Sequence, residues 1–279
     1  MTYNSLFTVL TDPALIEETL DHAMAAARAY DAHLDVLCLG VDRSQTGYYY
    51  AGASAIVLQE TIARAQNEAE EVEALARKTL EGSALRWAAE SGVSQLADLG
   101  RHVAARVRFS DLVILPRPYG EGRGPELEPI TESSLFEGRT PVLVAPAGAA
   151  PMPNPRRILL AWNESSEALG ATRAALPLLR AAESVHVVVI DPPVHGPNRS
   201  DPGGLVSQYI ARHGVKAEID VLSKTLPRIS DVLIRHAGDM DADMIVMGAY
   251  GHSRFREAIF GGATRYMLEK APVPVFMAH

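Results

Sequence analysis

The sequence predicts an α/β fold made of two repeated, doubly wound domains, each with a parallel sheet. Three observations predict it. Short apolar runs alternate with longer periodic stretches along the chain, which is the signature of strand–helix–strand units. Some of these runs are apolar nearly throughout, as strands buried on both faces are; Ser184 to Ile190 reads SVHVVVI. The pattern also occurs twice. Ser110-Asp111-Leu112-Val113-Ile114-Leu115 parallels Ala242-Asp243-Met244-Ile245-Val246-Met247, and Thr140-Pro141-Val142-Leu143-Val144-Ala145 parallels Val273-Pro274-Val275-Phe276-Met277-Ala278. The period is roughly 130 to 150 residues, which means a duplicated domain and not a short solenoid repeat.

In the first half, Leu6 to Leu10 reads as a buried strand. Asp12-Pro13 opens a helix over Ala14 to Tyr30, because Asp caps well and Pro suits a first turn. Ala32 to Val41 is a second strand, followed by an irregular stretch to Gly52 with Tyr48, Tyr49 and Tyr50. Ser54 to Leu80 is a long helix whose Glu68, Glu70, Glu71 and Glu73 mark a solvated face. Ala84 to Ala89 is a strand, Val93 to Val107 a helix, and Asp111 to Leu115 and Thr140 to Ala145 are strands. The Pro- and Ala-rich stretch from Ala147 to Pro155 reads as a linker.

The second half repeats the order. Arg157 to Ala161 is a strand, Asn163 to Ser166 a helix-starting turn, and Glu167 to Ala182 a helix containing Pro177. Strand Ser184 to Ile190, a Pro-rich loop to Pro202, helix Leu205 to His213, strand Lys216 to Leu222 and helix Ile229 to Ala237 follow. Strand Asp243 to Met247, helix Arg265 to Ala271 and strand Val273 to Met277 close the chain. The domains are expected at 1–147 and 156–279.

Composition narrows the function. A chain of 279 residues suggests about two domains. Its net charge of −8, without a basic run, argues against nucleic acid or an anionic membrane as partner. No apolar run approaches the roughly 20 residues of a membrane span, and the start lacks a signal-peptide pattern, so a cytoplasmic protein is expected. The single cysteine, Cys38, lies in an apolar run, which excludes an intramolecular disulfide and a thiolate zinc site.

The stretch with most chemical content is Met247 to Thr264, MGAYGHSRFREAIFGGAT. It joins an apolar run to a helical one. Gly248 and Gly251 are separated by two residues, Gly251 and Gly261 by nine, and Gly262 follows. Glycines let backbone N–H groups approach an anion, and a helix start adds unpaired donors. Spacing alone fits an anion cradle or plain turn glycines. The stretch is neither a Walker A loop nor a dinucleotide fingerprint. Arg254 and Arg256 could pair with phosphate or be solvated, and His252 lacks an orienting partner for base catalysis. Asp191 reads as a turn residue or as a water-mediated Mg²⁺ contact. His22, His33, His102, His186, His195, His213, His236 and His279 show no ligand spacing. There is no nucleophile elbow.

ILLAWNES, MGAYG with GGATRYML nine residues on, and the closing APVPVFMA together resemble a tandem, two-domain universal stress protein. The resemblance is strong over Arg156 to His279 and weaker but continuous over Met1 to Ala147. It implies an adenine nucleotide alpha hydrolase-like fold with five parallel strands per domain. It also implies ATP, or AMP or ADP, with or without Mg²⁺, at the carboxyl edge of the second sheet. Carried over, Ala161 and Asn163 line the adenine and ribose side and Ile190 flanks the base. Met247 and Gly248 meet the ribose, and Gly251, Gly261, Gly262 and Ala263 surround the phosphates. Asn163 stands where the family usually has Asp, and Gly262 where it has Ser or Thr; Thr264 is a candidate to supply the missing hydroxyl.

In the first half Asp12 matches Asn163. Pro116, Tyr119, Glu128 and Pro129 stand where the second half has Gly248, Gly251, Gly261 and Gly262. Proline offers no N–H and glutamate repels phosphate, so no nucleotide is expected there, and Pro116 to Pro129 is expected to be a mobile loop. The resemblance further implies that the last strands of the two halves pair as an internal pseudo-dimer, with a homodimer also open. The implied role is a cytoplasmic stress-response protein sensing an adenine nucleotide. A nucleotide-free interaction scaffold with a vestigial loop, or a slow ATPase, are the alternatives.

Overall fold

The computed structural model describes residues 2–43, 55–192, 201–249 and 262–279. The Tyr48–Tyr50 cluster, most of the Pro-rich loop, and the segment holding Gly251, His252, Arg254, Arg256 and Gly261 lie outside these residues. The chain divides into two compact units, Tyr3–Thr140 and Pro141–His279, the latter including the first residues of the chain.

The first unit contains β1 (Ser5–Leu10), α1 (Ile16–Tyr30), β2 (His33–Asp42), α2 (Ala55–Leu80), β3 (Arg86–Gln95), α3 (Leu99–Val107), β4 (Leu112–Pro116) and α4 (Leu127–Phe136). The strands run parallel in the order β3-β2-β1-β4. The crossovers β1 to β2 and β2 to β3 step one way across the sheet, and β3 to β4 steps back. Right-handed crossovers therefore place α1 and α2 on one face and α3 and α4 on the other; α1 packs against α2, and α3 against α4. Helix α2 buries Ala65, Ala69, Val72, Ala76 and Leu80, one stripe at helical spacing. Gly40 lets it approach β2, because a Cβ there would stand 1.7 Å from the Ala65 carbonyl oxygen.

The second unit contains β5 (Val142–Ala145), β6 (Arg157–Ala161), α5 (Ser166–Ala174), α6 (Leu176–Ala181), β7 (Ser184–Ile190), α7 (Gly204–Arg212), β8 (Ala217–Leu222), α8 (Ile229–Asp239), β9 (Met244–Gly248), α9 (Ala263–Lys270) and β10 (Val275–Ala278). Five parallel strands run in the order β10-β9-β6-β7-β8, the same winding as the first unit with a fifth strand added. Strand β5 adds to β10 antiparallel, Leu143 opposite Phe276. Thus the two closing Pro-Val strands meet each other.

Three local readings need correction. The expected helix from Val93 begins only at Leu99, because Val93 to Gln95 continue β3 in a ten-residue ladder with β2. Pairing overrides local propensity there. The helix over Glu167 to Ala182 is two helices: Pro177 lacks an N–H and occupies the first turn of a new one, α6. The loop expected over Pro116 to Pro129 ends at Glu126, and Pro129 is tolerated inside the first turn of α4. Its remaining residues are tied down by Arg123, which donates to Glu18, and by Tyr119, which donates to Glu128.

Candidate functional site

The carboxyl ends of β9, β6 and β7 lie side by side at one edge of the second unit's sheet. Strand order reverses between β6 and β9, which is where open α/β sheets take ligands. Of the residues singled out in the sequence, the described ones lie at the ends of β6, β7 and β9 and at the start of α9.

At the end of β6, Ala161 is half-buried and Trp162 N–H donates to the Val188 carbonyl at 2.9 Å. Asn163 Oδ1 accepts from Ser165 N at 3.2 Å, and Ser165 Oγ accepts from Ala168 N at 3.1 Å to cap α5. Asn163 therefore builds the helix-starting turn expected over Asn163 to Ser166. Asp12 makes the same turn in the first unit, accepting from Ala14 N at 2.9 Å. The carboxylate of one and the carboxamide of the other serve equally as the acceptor.

At the end of β7, Ile190 is half-buried. Asp191 adopts φ 44°, and its Oδ1 accepts from Lys224 N at 3.0 Å, which makes it a turn residue. At the end of β9, Met247 is buried and Gly248 is half-buried. A Cβ on Gly248 would stand 2.5 Å from Ala168 N and 2.6 Å from the Glu167 carbonyl carbon, so the start of α5 lies directly against this glycine. Ala249 N–H donates to the Ala278 carbonyl, and His279 Nδ1 donates to the Ala249 carbonyl at 3.0 Å.

Helix α9 begins after Gly262, which has no side chain to cap it and no acidic residue in the first turn. Ala263 is exposed and Thr264 is buried. Gly262 thus offers no side-chain acceptor to the first N–H groups of α9, which carry the partial positive charge of the helix start. The start of α5 is electrostatically different. The Glu167 carboxylate accepts from its own backbone N–H and from the Ser166 and Ser165 hydroxyls, and these bonds hold it below the usual carboxylate range. That end already carries an anion.

Beside the β6 turn lies a cavity of about 450 Å³, walled by Trp162, Leu169, Val206 and Tyr209, with Glu164 and Asp201 at its polar side. Its volume suits a small ligand. Trp162 is adjacent to two of the sequence-identified residues; Tyr209 carried no signal, since nothing in its local pattern points to a cavity. Among the described residues no group of His, Cys, Asp and Glu could hold a metal ion, and no helix is long and apolar enough to cross a membrane.

Sequence reasoning also missed a polar cluster. His186 Nδ1 and His236 Nε2 lie 2.9 and 2.8 Å from Asp220 Oδ2. An ionised carboxylate only accepts, so both imidazoles donate to it. The three residues come from β7, β8 and α8, and no sequence spacing links them.

The family model described as the universal stress protein family matches residues 154–279. Universal stress protein Slr1230 of a Synechocystis strain is 28% identical over 91 residues, which are 33% of this chain and 31% of that relative. The match thus spans about a third of the relative's length. A universal stress protein structure from Archaeoglobus fulgidus superposes with a TM-score of 0.69 at 14% identity, over 99% of this chain and 98% of that one. A putative universal stress protein structure from Pseudomonas aeruginosa gives 0.62 at 14% identity, over 99% and 93%. At such identities these two likenesses concern the fold.

Proposed function

We propose a function for this chain from one premise, that its residues 154–279 belong to the universal stress protein family. Membership points to a role in stress response. Within that role, the second unit binds ATP or a related adenine nucleotide as a regulatory signal in the cytoplasm. The observation that carries this reading is the start of α9 directly after Gly262, which gives it no side-chain cap, in the chain segment that follows β9, the strand at the order reversal. Backbone N–H groups there suit a phosphate. Ala161, Asn163 and Ile190 border the same edge, and the cavity walled by Trp162 and Tyr209 beside it suits a planar base. Gly251, Gly261, Gly262 and Ala263 would hold the phosphates when the nucleotide is bound, with Met247 and Gly248 on the ribose. Mg²⁺, if used, would reach the protein through the phosphates or, through water, at Asp191, whose Oδ1 already accepts from Lys224 N.

Calorimetry of the full chain with ATP and Mg²⁺ tests this. Wild type is expected to give heat at one site per chain and Gly251→Glu none. Absence of heat with wild type overturns the reading. One observation favours the scaffold alternative: packing against Ala168 by itself accounts for Gly248 being glycine. Identification by mass of a nucleotide released from purified protein would weigh against that alternative.

A further inference from the structure

We propose that residues 117–126 form a strap that closes the first unit's own ligand crevice, with the Glu126 carboxylate as an internal anion. This inference stands whether or not the second unit binds nucleotide. In the first unit, strand order reverses between β1 and β4, so a ligand crevice is expected at their carboxyl ends. The strap leaves β4 after Pro116 and ends where α4 begins. Along the way it makes two ion pairs distant in sequence. Arg123 Nη2 donates to Glu18 Oε1 and Oε2 at 3.1 and 3.2 Å, in the first turn of α1. Arg43 Nη2, just beyond the end of β2, donates to Glu126 Oε1 at 2.9 Å. Strand β1 lies between β2 and β4. A segment that starts at β4 and pairs with Arg43 must therefore pass the carboxyl end of β1.

Both pinning side chains are buried, Arg123 with 7% and Glu126 with 2% of its side-chain surface exposed. Glu126 also opens α4, but its side chain makes no cap bond there: Leu127 N–H donates to the Gly124 carbonyl and Pro129 has no N–H. The Glu126 carboxylate curls back over Gly124, at which a Cβ would stand 2.4 Å from Glu126 Oε1. The carboxylate instead holds the Arg43 guanidinium at the carboxyl ends of the strands, the cation that a ligand anion in this crevice would otherwise meet. Helix α9 in the second unit has no acidic residue in its first turn. Arg123 Nη1 and Glu126 Oε2 are buried without a partner among the described residues. Part of the strap's hydrogen-bonding capacity is therefore unused.

Limited trypsin digestion of the folded full chain tests the strap. Trypsin must extract the Arg123 side chain to cut after it. Wild type is expected to be cut there at least about tenfold more slowly than after exposed Arg139, and Glu18→Ala is expected to remove most of that difference. Rapid cutting after Arg123 in folded wild type overturns the proposal, and this outcome needs no variant. The internal anion is tested by calorimetry with pyrophosphate: Glu126→Ala is expected to gain one site per chain over wild type, through Arg43 and Arg123. A folded Glu126→Ala that gains no site overturns the assignment of Glu126. If Glu126→Ala does not fold, Glu126→Gln serves for the same titration.

Discussion

Asp111 and Asp243, one in each unit, make the same pair of hydrogen bonds. Asp111 Oδ2 accepts from the backbone N–H groups of Asn4 and Ser5 at 2.7 and 3.0 Å. Asp243 Oδ2 accepts from those of Arg156 and Arg157 at 2.7 and 2.8 Å. Each carboxylate stands just before its unit's fourth parallel strand and grips the start of that unit's first. Replacing either by Ala leaves two backbone donors without their charged acceptor, a loss of about 1–2 kcal/mol. Asp243→Ala is expected to lower the thermal midpoint of the second unit and Asp111→Ala that of the first. A melt followed by hydrogen exchange, which reads the units separately, checks this.

These two aspartates also show how far the sequence could be read. Their motifs, Ser110 to Leu115 and Ala242 to Met247, revealed the repeat, because the strands within them are apolar and short. Their bonding was not legible, since each pairs with a strand many residues away. The same limit applies elsewhere. β3 runs on through Val93 because a ten-residue ladder with β2 outweighs local helix preference. Asp12 and Asn163 were aligned from sequence, and the shared turn explains why Asn substitutes there without loss of the acceptor. Arg123 and Glu18, or His186, Asp220 and His236, meet only through the fold.

The cluster on Asp220 gives a pH dependence. Burial raises the Asp220 pKa, but hydrogen bonds from His236 and His186 lower it by more, so the net shift is downward. A carboxylate whose folded pKa is depressed adds stability above its unfolded value, about 3.9. That contribution is lost as pH falls through the folded value. Asp220→Asn is expected to be less stable than wild type at pH 7 by about 1–2 kcal/mol, with the difference shrinking below about pH 4. Urea unfolding of both proteins at several pH values checks this. A difference that does not shrink below about pH 4 would mean that the histidines do not stabilise the charged form.

Cys38 sits in the middle of β2 with no exposed surface. Burial pushes its thiol up to about 12, with the Glu73 carboxylate adding to the rise and Arg77 opposing it. The thiolate is the reactive species, so at pH 8 the folded protein holds almost none of it. A disulfide reagent such as Ellman's is expected to leave the native chain unmodified and to titrate one thiol per chain in guanidinium. Fast reaction of the native protein would show that β2 opens on the timescale of the assay.

Gly248 separates packing from ligand binding at the candidate site. Its missing side chain leaves room for the backbone of Glu167 and Ala168, atoms that cannot swing aside as a flexible side chain would. Gly248→Ala must therefore push the start of α5 away from β9, at a cost of about 1–3 kcal/mol. The expected result is a lower thermal midpoint for the second unit without added ligand. An unchanged midpoint would mean that α5 yields freely, and the case for glycine at this position would then rest on a nucleotide. If the midpoint falls as expected, the variant also moves the Asn163 turn, because Ser165 caps the same helix. ATP affinity should then fall together with stability. Glu167→Ala, which removes a carboxylate beside Gly248 and leaves both backbones in place, should not weaken ATP binding.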